Sequence, residues 1–235
     1  MRLRTLAAAG LSAVLLTACG GGSSDDTAER SSSAATSSRS APTGPELAAA
    51  AGDALQQAGS VRVQGDLTGE GRHVVLDLGM LGPDMAGTLT VDDVRLGITV
   101  VGGIGYVQAP PSYWLSLGVS DPLASRLAAS WVRPPGDGAS DLAPYNFDRL
   151  VALLNYPNNL TYQDEAVAGT LDGGPVWLIA DSDGSETRIA AEGTPYPLQV
   201  AMTGEPSGVL TLSDFGAVPP ITVPGDAIDL SDVGA

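Results

Sequence analysis

Apolar residues recur along this chain with two different periods, and the switches between them mark out the elements. A helix comes first in the body of the sequence. Pro45-Glu46 opens an Ala/Leu-rich run to Ala58 that Gly59 closes, with proline at the helix start and glycine just past its end. The period then changes to two. Val61, Val63 and Leu67 alternate with Arg62, Gln64 and Asp66, and Val74, Leu76, Leu78 and Met80 alternate with His73, Asp77 and Gly79. Met85 to Val91 follows, with Leu89 and Val91 on one face. Asp92-Asp93 forms a tight turn into Val94, Leu96, Ile98 and Val100, and Gly102-Gly103 is a hairpin signal before Ile104 and Tyr106. Such a series of short alternating runs predicts an antiparallel meander.

Pro110-Pro111 ends that pattern. Asp121-Pro122 reads as a helix start, with Leu123, Leu127 and Trp131 at spacings of four. A Pro/Gly/Asp loop (Pro134 to Ala143) leads to a second helix near Asn146 to Asn155, striped by Phe147, Leu150, Val151 and Leu154. Strands resume with Tyr162 to Leu171, which turns through Asp172-Gly173-Gly174 into Val176 to Ala180. Thr187 to Ala191, Leu198 to Met202 and Val209 to Phe215 follow, and Ile221 to Val223 is placed as an edge strand. The fold class expected is α+β: a strongly curved antiparallel half-barrel wrapped around central helices, which would bury both helical stripes.

The N-terminus has a different pattern. Arg2 and Arg4 precede an uncharged apolar run, Leu6 to Leu16, which is too short to span a bilayer core and reads as a signal peptide. The run ends in Leu16-Thr17-Ala18-Cys19, which resembles a bacterial lipobox. By that resemblance cleavage falls between Ala18 and Cys19, and Cys19 carries the diacylglycerol. Gly20 to Pro45 is dominated by Ser, Ala, Gly and Thr and has too little apolar surface to fold; as a coil it reaches about 30 Å. The organisation expected is therefore a signal peptide over 1–18, a lipidated cysteine and tether over 19–45, and a single domain over 46–235.

Composition narrows the function. The 235 residues carry 27 Asp plus Glu against 11 basic residues, a formal net charge of -16, with one His and one Cys. Nucleic-acid binding needs clustered cations, and this chain has no basic patch. One cysteine allows no internal disulfide, and together with one histidine it makes no Cys/His zinc site. His73 lies on the strand face opposite the apolar set and reads as solvated, not as a general base. Asp181-Ser182-Asp183-Gly184-Ser185-Glu186 invites a calcium loop, but an EF-hand needs Gly at its sixth position, where this chain has Glu186. Asp183-Gly184 reads as a hairpin turn. The adjacent acids Asp92-Asp93 and Asp164-Glu165 project to opposite sides or sit in turns. Asn159-Leu160-Thr161 matches a glycosylation sequon for which a bacterial lipoprotein has no general use. No cofactor, metal or enzymatic activity is expected.

Several phrases together resemble the LolA/LolB-like lipoprotein-carrier superfamily, in particular its actinobacterial LppX/LprG-type lipoproteins. They are the lipobox, Gly59 to Gly65, Gly193-Thr194-Pro195-Tyr196-Pro197-Leu198, and Gly208 to Gly216 followed by Pro219-Pro220 and Pro224. The resemblance implies an apolar cavity between sheet and helices that binds acyl chains, for carrying or presenting a lipid. Its walls would be Val74, Leu76, Leu78, Leu89, Leu96 and Ile98 from the first half, Trp114, Leu127 and Trp131 from the helical insert, and Trp177 and Ile179 from the second half. It also implies a lipid-anchored location on the extracytoplasmic face of the cell membrane, with a lipid ligand and an envelope transporter as partners. The other reading of the same residues is a filled core in an envelope interaction or sensor module.

Overall fold

In the computed structural model, described over residues 41–135, 147–148, 150–151 and 161–233, the period switch at Gly59 is where α1 (Gly44–Ala58) gives way to β1 (Ser60–Gly69). Reciprocal capping bonds fix the helix start. Thr43 Oγ1 accepts from the Glu46 N–H at 3.3 Å, and the Glu46 carboxylate accepts from the Thr43 N–H at 3.0 Å. These bonds hold the Glu46 carboxyl below its ordinary pKa.

Five strands follow as expected: β1, β2 (Arg72–Leu81), β3 (Asp84–Val91), β4 (Val94–Val101) and β5 (Ile104–Gln108). Tight turns join them, with positive φ at Asp92 (53°) and at Gly102 and Gly103 (57° and 78°) matching the twist of the flanking strands. Next come α2 (Pro111–Ser116), α3 (Asp121–Ala128) and the two-residue β6 (Val132–Arg133). The second half is β7 (Val167–Leu171), β8 (Gly174–Ala180), β9 (Glu186–Ala190), β10 (Pro197–Met202) and β11 (Ser207–Ser213), and the short β12 is Ile228–Asp229.

The twelve strands of the described residues belong to one large open sheet, ordered β12-β6-β5-β4-β3-β2-β1-β11-β10-β9-β8-β7. Two meanders are thus joined edge to edge by antiparallel pairing of β1 with β11. Every neighbouring pair is antiparallel except β12 with β6.

Four details differ from the sequence reading. Pro111 starts a short helix, α2, because a proline at the first helical position gives up a donor that would be unpaired anyway. Helix α3 ends at Ala128, so Trp131 lies beyond it, and Val132 pairs with Val107 in the sheet. Ile221 to Val223 is irregular; Pro219, Pro220 and Pro224 remove the donors that an edge strand would use. Tyr162 to Leu171 is not one strand: Tyr162 bridges Asp181, and regular pairing begins only at Val167. The signal peptide, Cys19, the tether up to residue 40, the sequon asparagine and most of the 134–143 loop lie outside the described residues. Of the second predicted helix, Phe147, Asp148, Leu150 and Val151 are described and are helical.

Register sorts the side chains into an apolar and a polar face. Val63 faces both Leu78 and Leu212, Leu76 faces Leu89, and Val100 faces Met85. The three apolar clusters all draw on this inner face. The central one joins Val61, Val63, Leu78, Met80, Ile98, Leu210 and Leu212 to Leu55 of α1 and to Phe147, Leu150 and Val151. A second packs Leu47, Ala48 and Ala51 of α1 on Ile179 and Ile189. The third packs Trp114, Ala124 and Leu127 of α2 and α3 on Val132, with Leu96 and Val107 beside them. The outer face is polar and crossed by ion pairs, chief among them a bidentate Arg62–Asp77 pair at 2.8 and 2.7 Å.

Candidate functional site

Three strands build an apolar recess on the inner face. Side chains two residues apart share a face, and antiparallel register then aligns them across strands. Leu67 of β1 stands opposite Val74 of β2, Val74 opposite Val91 of β3, and Leu76 opposite Leu89. With the loop carrying Glu205 and Pro206, they enclose a pocket of about 430 Å³. That volume lies within the roughly 300–1,000 Å³ of small-molecule sites. Glu70, Arg72 and Glu205 form its polar rim. The Glu70 N–H donates to the Glu205 carboxylate, and Arg72 pairs with Asp92 at 3.5 Å. The walls offer dispersion contacts to a flexible apolar chain, and the rim offers hydrogen bonds to a polar end.

The eleven residues expected to line a cavity separate into distinct places. Val74, Leu76 and Leu89 line this pocket. Leu78 and Ile98, each 3% exposed, belong to the packed central cluster, which also contains Leu76 and has Val74 and Leu89 packed against it. Leu96 bridges the central and third clusters. Trp114 and Leu127 are buried in the third, where the Trp114 indole N–H donates to the Ala109 carbonyl at 3.2 Å. Trp177 and Ile179 belong to the cluster under α1. Trp131 lies on the other side of the sheet: a Cβ at Gly97, an outer-face position opposite Thr88 and Gln108, would sit 3.0 Å from its ring.

A larger depression of about 510 Å³ lies on the outer face, where the segment from Asp214 to Thr222 crosses strands β1 to β4. Sequence reasoning missed it because its wall comes from far along the chain. The signal available was the run of small outer-face residues, Gly79 and Ala86, which leaves room for Val218. Its charged groups are largely spent on one another. Arg62 bonds Asp77 and lies 3.8 Å from Asp214, and the Arg62 hydrogen bonds, aided by Gln64, hold the Asp77 carboxyl below its ordinary range. It therefore offers a lipid chain less than the inner pocket does.

The chemical candidates weighed from the sequence have ordinary partners. His73 Nε2 lies 2.8 Å from Asp66 Oδ1 on the exposed outer face. Asp181 Oδ1 accepts the N–H groups of Asp183 and Ser185, which makes a side-chain-capped turn. Among the described residues, no three His, Cys, Asp or Glu side chains converge in a metal-binding arrangement, and no helix is long and apolar enough to cross a membrane.

No protein-family model matches the chain, and no curated protein matches it in sequence. Its structure is similar to that of the Mycobacterium tuberculosis lipoprotein LppX, at 18% identity over 76% of this chain and 98% of that one, with a TM-score of 0.47. It is also similar to LprF from Mycobacterium bovis, at 16% identity over 79% and 99%, with a TM-score of 0.49. The LppX likeness read from the sequence is met in structure. Both TM-scores lie below 0.5, so residue roles rest on the geometry of this chain.

Proposed function

We propose that this protein is a non-enzymatic, membrane-anchored lipoprotein that holds a lipid acyl chain in the inner-face pocket, for carriage or presentation at the extracytoplasmic side of the cell membrane. The observation that carries this reading is the aliphatic recess formed by Leu67, Val74, Leu76, Leu89 and Val91, with polar groups confined to its rim. Aliphatic walls without aromatic rings suit a flexible chain better than a stacked planar ligand. In this reading the sheet curves around the helical elements on its inner face, and Cys19, lipidated after cleavage behind Ala18, tethers the domain through residues 20–45. An envelope transporter would be the protein that exchanges the cargo.

The test is direct. A fluorescent long-chain fatty acid should bind the full chain saturably and be displaced by unlabelled lipid, and Leu89→Trp should abolish that binding. Binding unchanged in Leu89→Trp would remove the pocket from the account. The anchor is tested separately: Cys19→Ser should move the protein from the membrane to the soluble fraction, and continued membrane fractionation would refute it.

A further inference from the structure

The sheet ends on one side in β7, Val167-Ala168-Gly169-Thr170-Leu171, whose outer edge pairs with no strand among the described residues. Natural edge strands are usually protected by charge, proline, a bulge or brevity. The opposite edge fits that rule, since β12 has two residues and its Asp229 pairs with Arg133 at 3.2 Å. Within its own five residues strand β7 carries no charge, proline or bulge. Val167 is 57% exposed, in a chain whose net charge is -16.

Hydrogen bonds identify which backbone groups point outward. The Pro175 carbonyl accepts from the Ala191 N–H at 3.1 Å, so Pro175 faces β9 and its partner Thr170 is not bonded to β8. Just before β7, the Gln163 N–H donates to the Ala180 carbonyl, while the Asp164 carbonyl accepts the Gly44 N–H from the other side. Odd-numbered residues of this segment therefore turn toward β8 and even-numbered ones away from it. Ala168 and Thr170 aim their N–H and C=O groups at the open edge. The lead into α1 already uses the beginning of that edge, through the antiparallel Thr43–Glu165 bridge.

The charges select the kind of partner. Exposed Asp164 and Glu165 lie at one end of the edge and exposed Asp172 at the other. Antiparallel pairing of two copies of β7 about Gly169 would set Asp172 of each copy beside Ala166 and close to Glu165 of the other, an unfavourable juxtaposition. We propose that the β7 edge is a docking site for an extended segment of another protein, uncharged and β-branched at its centre and basic at both flanks. It adds a strand through Ala168 and Thr170 and covers Val167 and Leu171.

The probe is a synthetic peptide of alternating Val and Thr with lysines at both ends, titrated into the full chain carrying Cys19→Ser. Saturable binding is expected, with slowed amide exchange at Ala168 and Thr170. Thr170→Pro removes an N–H that no strand among the described residues uses, and should weaken binding at least tenfold. The exchange measurement on unmutated protein decides the matter if that variant does not fold. A peptide with glutamates in place of the lysines should not bind. Three results would overturn the proposal: no saturable binding, equal binding of both peptides, or protection elsewhere than β7. Concentration-dependent dimerisation that protects β7 would also overturn it, in favour of a second copy.

Discussion

Substituting tryptophan at two leucines on the same sheet face separates an open pocket from a filled core. Leu78 is 3% exposed, opposite Val63 and inside the central apolar cluster, so Leu78→Trp has no free volume to enter. Overpacking of this kind costs about 1–3 kcal/mol, and at about 2–4 °C of Tm per kcal/mol for a domain of this size the loss is about 2–12 °C. Leu89 is only partly buried and borders the pocket of about 430 Å³. Leu89→Trp can place its indole in that space, so its cost should stay under about 1 kcal/mol, or about 4 °C. The binding signals should reverse the order: Leu89→Trp loses fluorescent fatty-acid binding, while the folded fraction of Leu78→Trp retains it. Thermal melts and titrations on both variants read the two quantities. If Leu89→Trp destabilises as much as Leu78→Trp and still binds the fatty acid, the pocket is not the ligand site.

Other expectations test the framework. Leu127 is fully buried under α2, so Leu127→Ala should cost about 2–5 kcal/mol in a denaturant titration. A loss below about 1 kcal/mol would mean that the third cluster contributes little. At Gly87 an added Cβ would lie 2.0 Å from the Asp77 carbonyl oxygen, so Gly87→Ala should cost at least about 1–3 kcal/mol by forcing β3 from β2. An unchanged Tm would contradict that contact. The Asp77 carboxyl is depressed below 3.8, chiefly by its hydrogen bonds to Arg62. A depressed carboxyl stabilises the fold above its unfolded pKa, and that stability is lost as pH falls through the folded value. With 44% and 37% of the two side chains exposed, solvent screening keeps the pair's contribution small. The stability gap between wild type and Asp77→Asn should therefore hold from pH 7 to 5 and narrow below about pH 4. A gap constant to pH 2 would reject the ion-pair explanation.

The strands of the first half were legible because their two faces meet different surroundings. Val61 and Val63 alternate with Arg62 and Gln64, and the structure packs the first pair inward and places the Arg62–Asp77 ion pair outward. Period alone does not say which apolar side chains touch packed neighbours and which border open space. Leu76 and Leu78 are indistinguishable in sequence and both belong to the central cluster, yet Leu76 also borders the recess while Leu78, opposite Val63, does not. Trp131 was misplaced for a local reason. Its spacing from Leu127 continues a helical stripe, but sheet pairing of Val132 with Val107 ends that helix first and turns the indole to the outer face. The outer groove and the joining of the two meanders through β1 and β11 depend on contacts between distant parts of the chain, and short-range periodicity carries no record of these.

The central claim is that the inner pocket holds an acyl chain. Native mass spectrometry of the protein purified without detergent from an actinobacterial host, followed by organic extraction, measures this most directly. The account predicts a defined lipid adduct at one per chain in wild type and its loss in Leu89→Trp. Protein that is folded and free of lipid, and that also fails to bind added fatty acid, would contradict it.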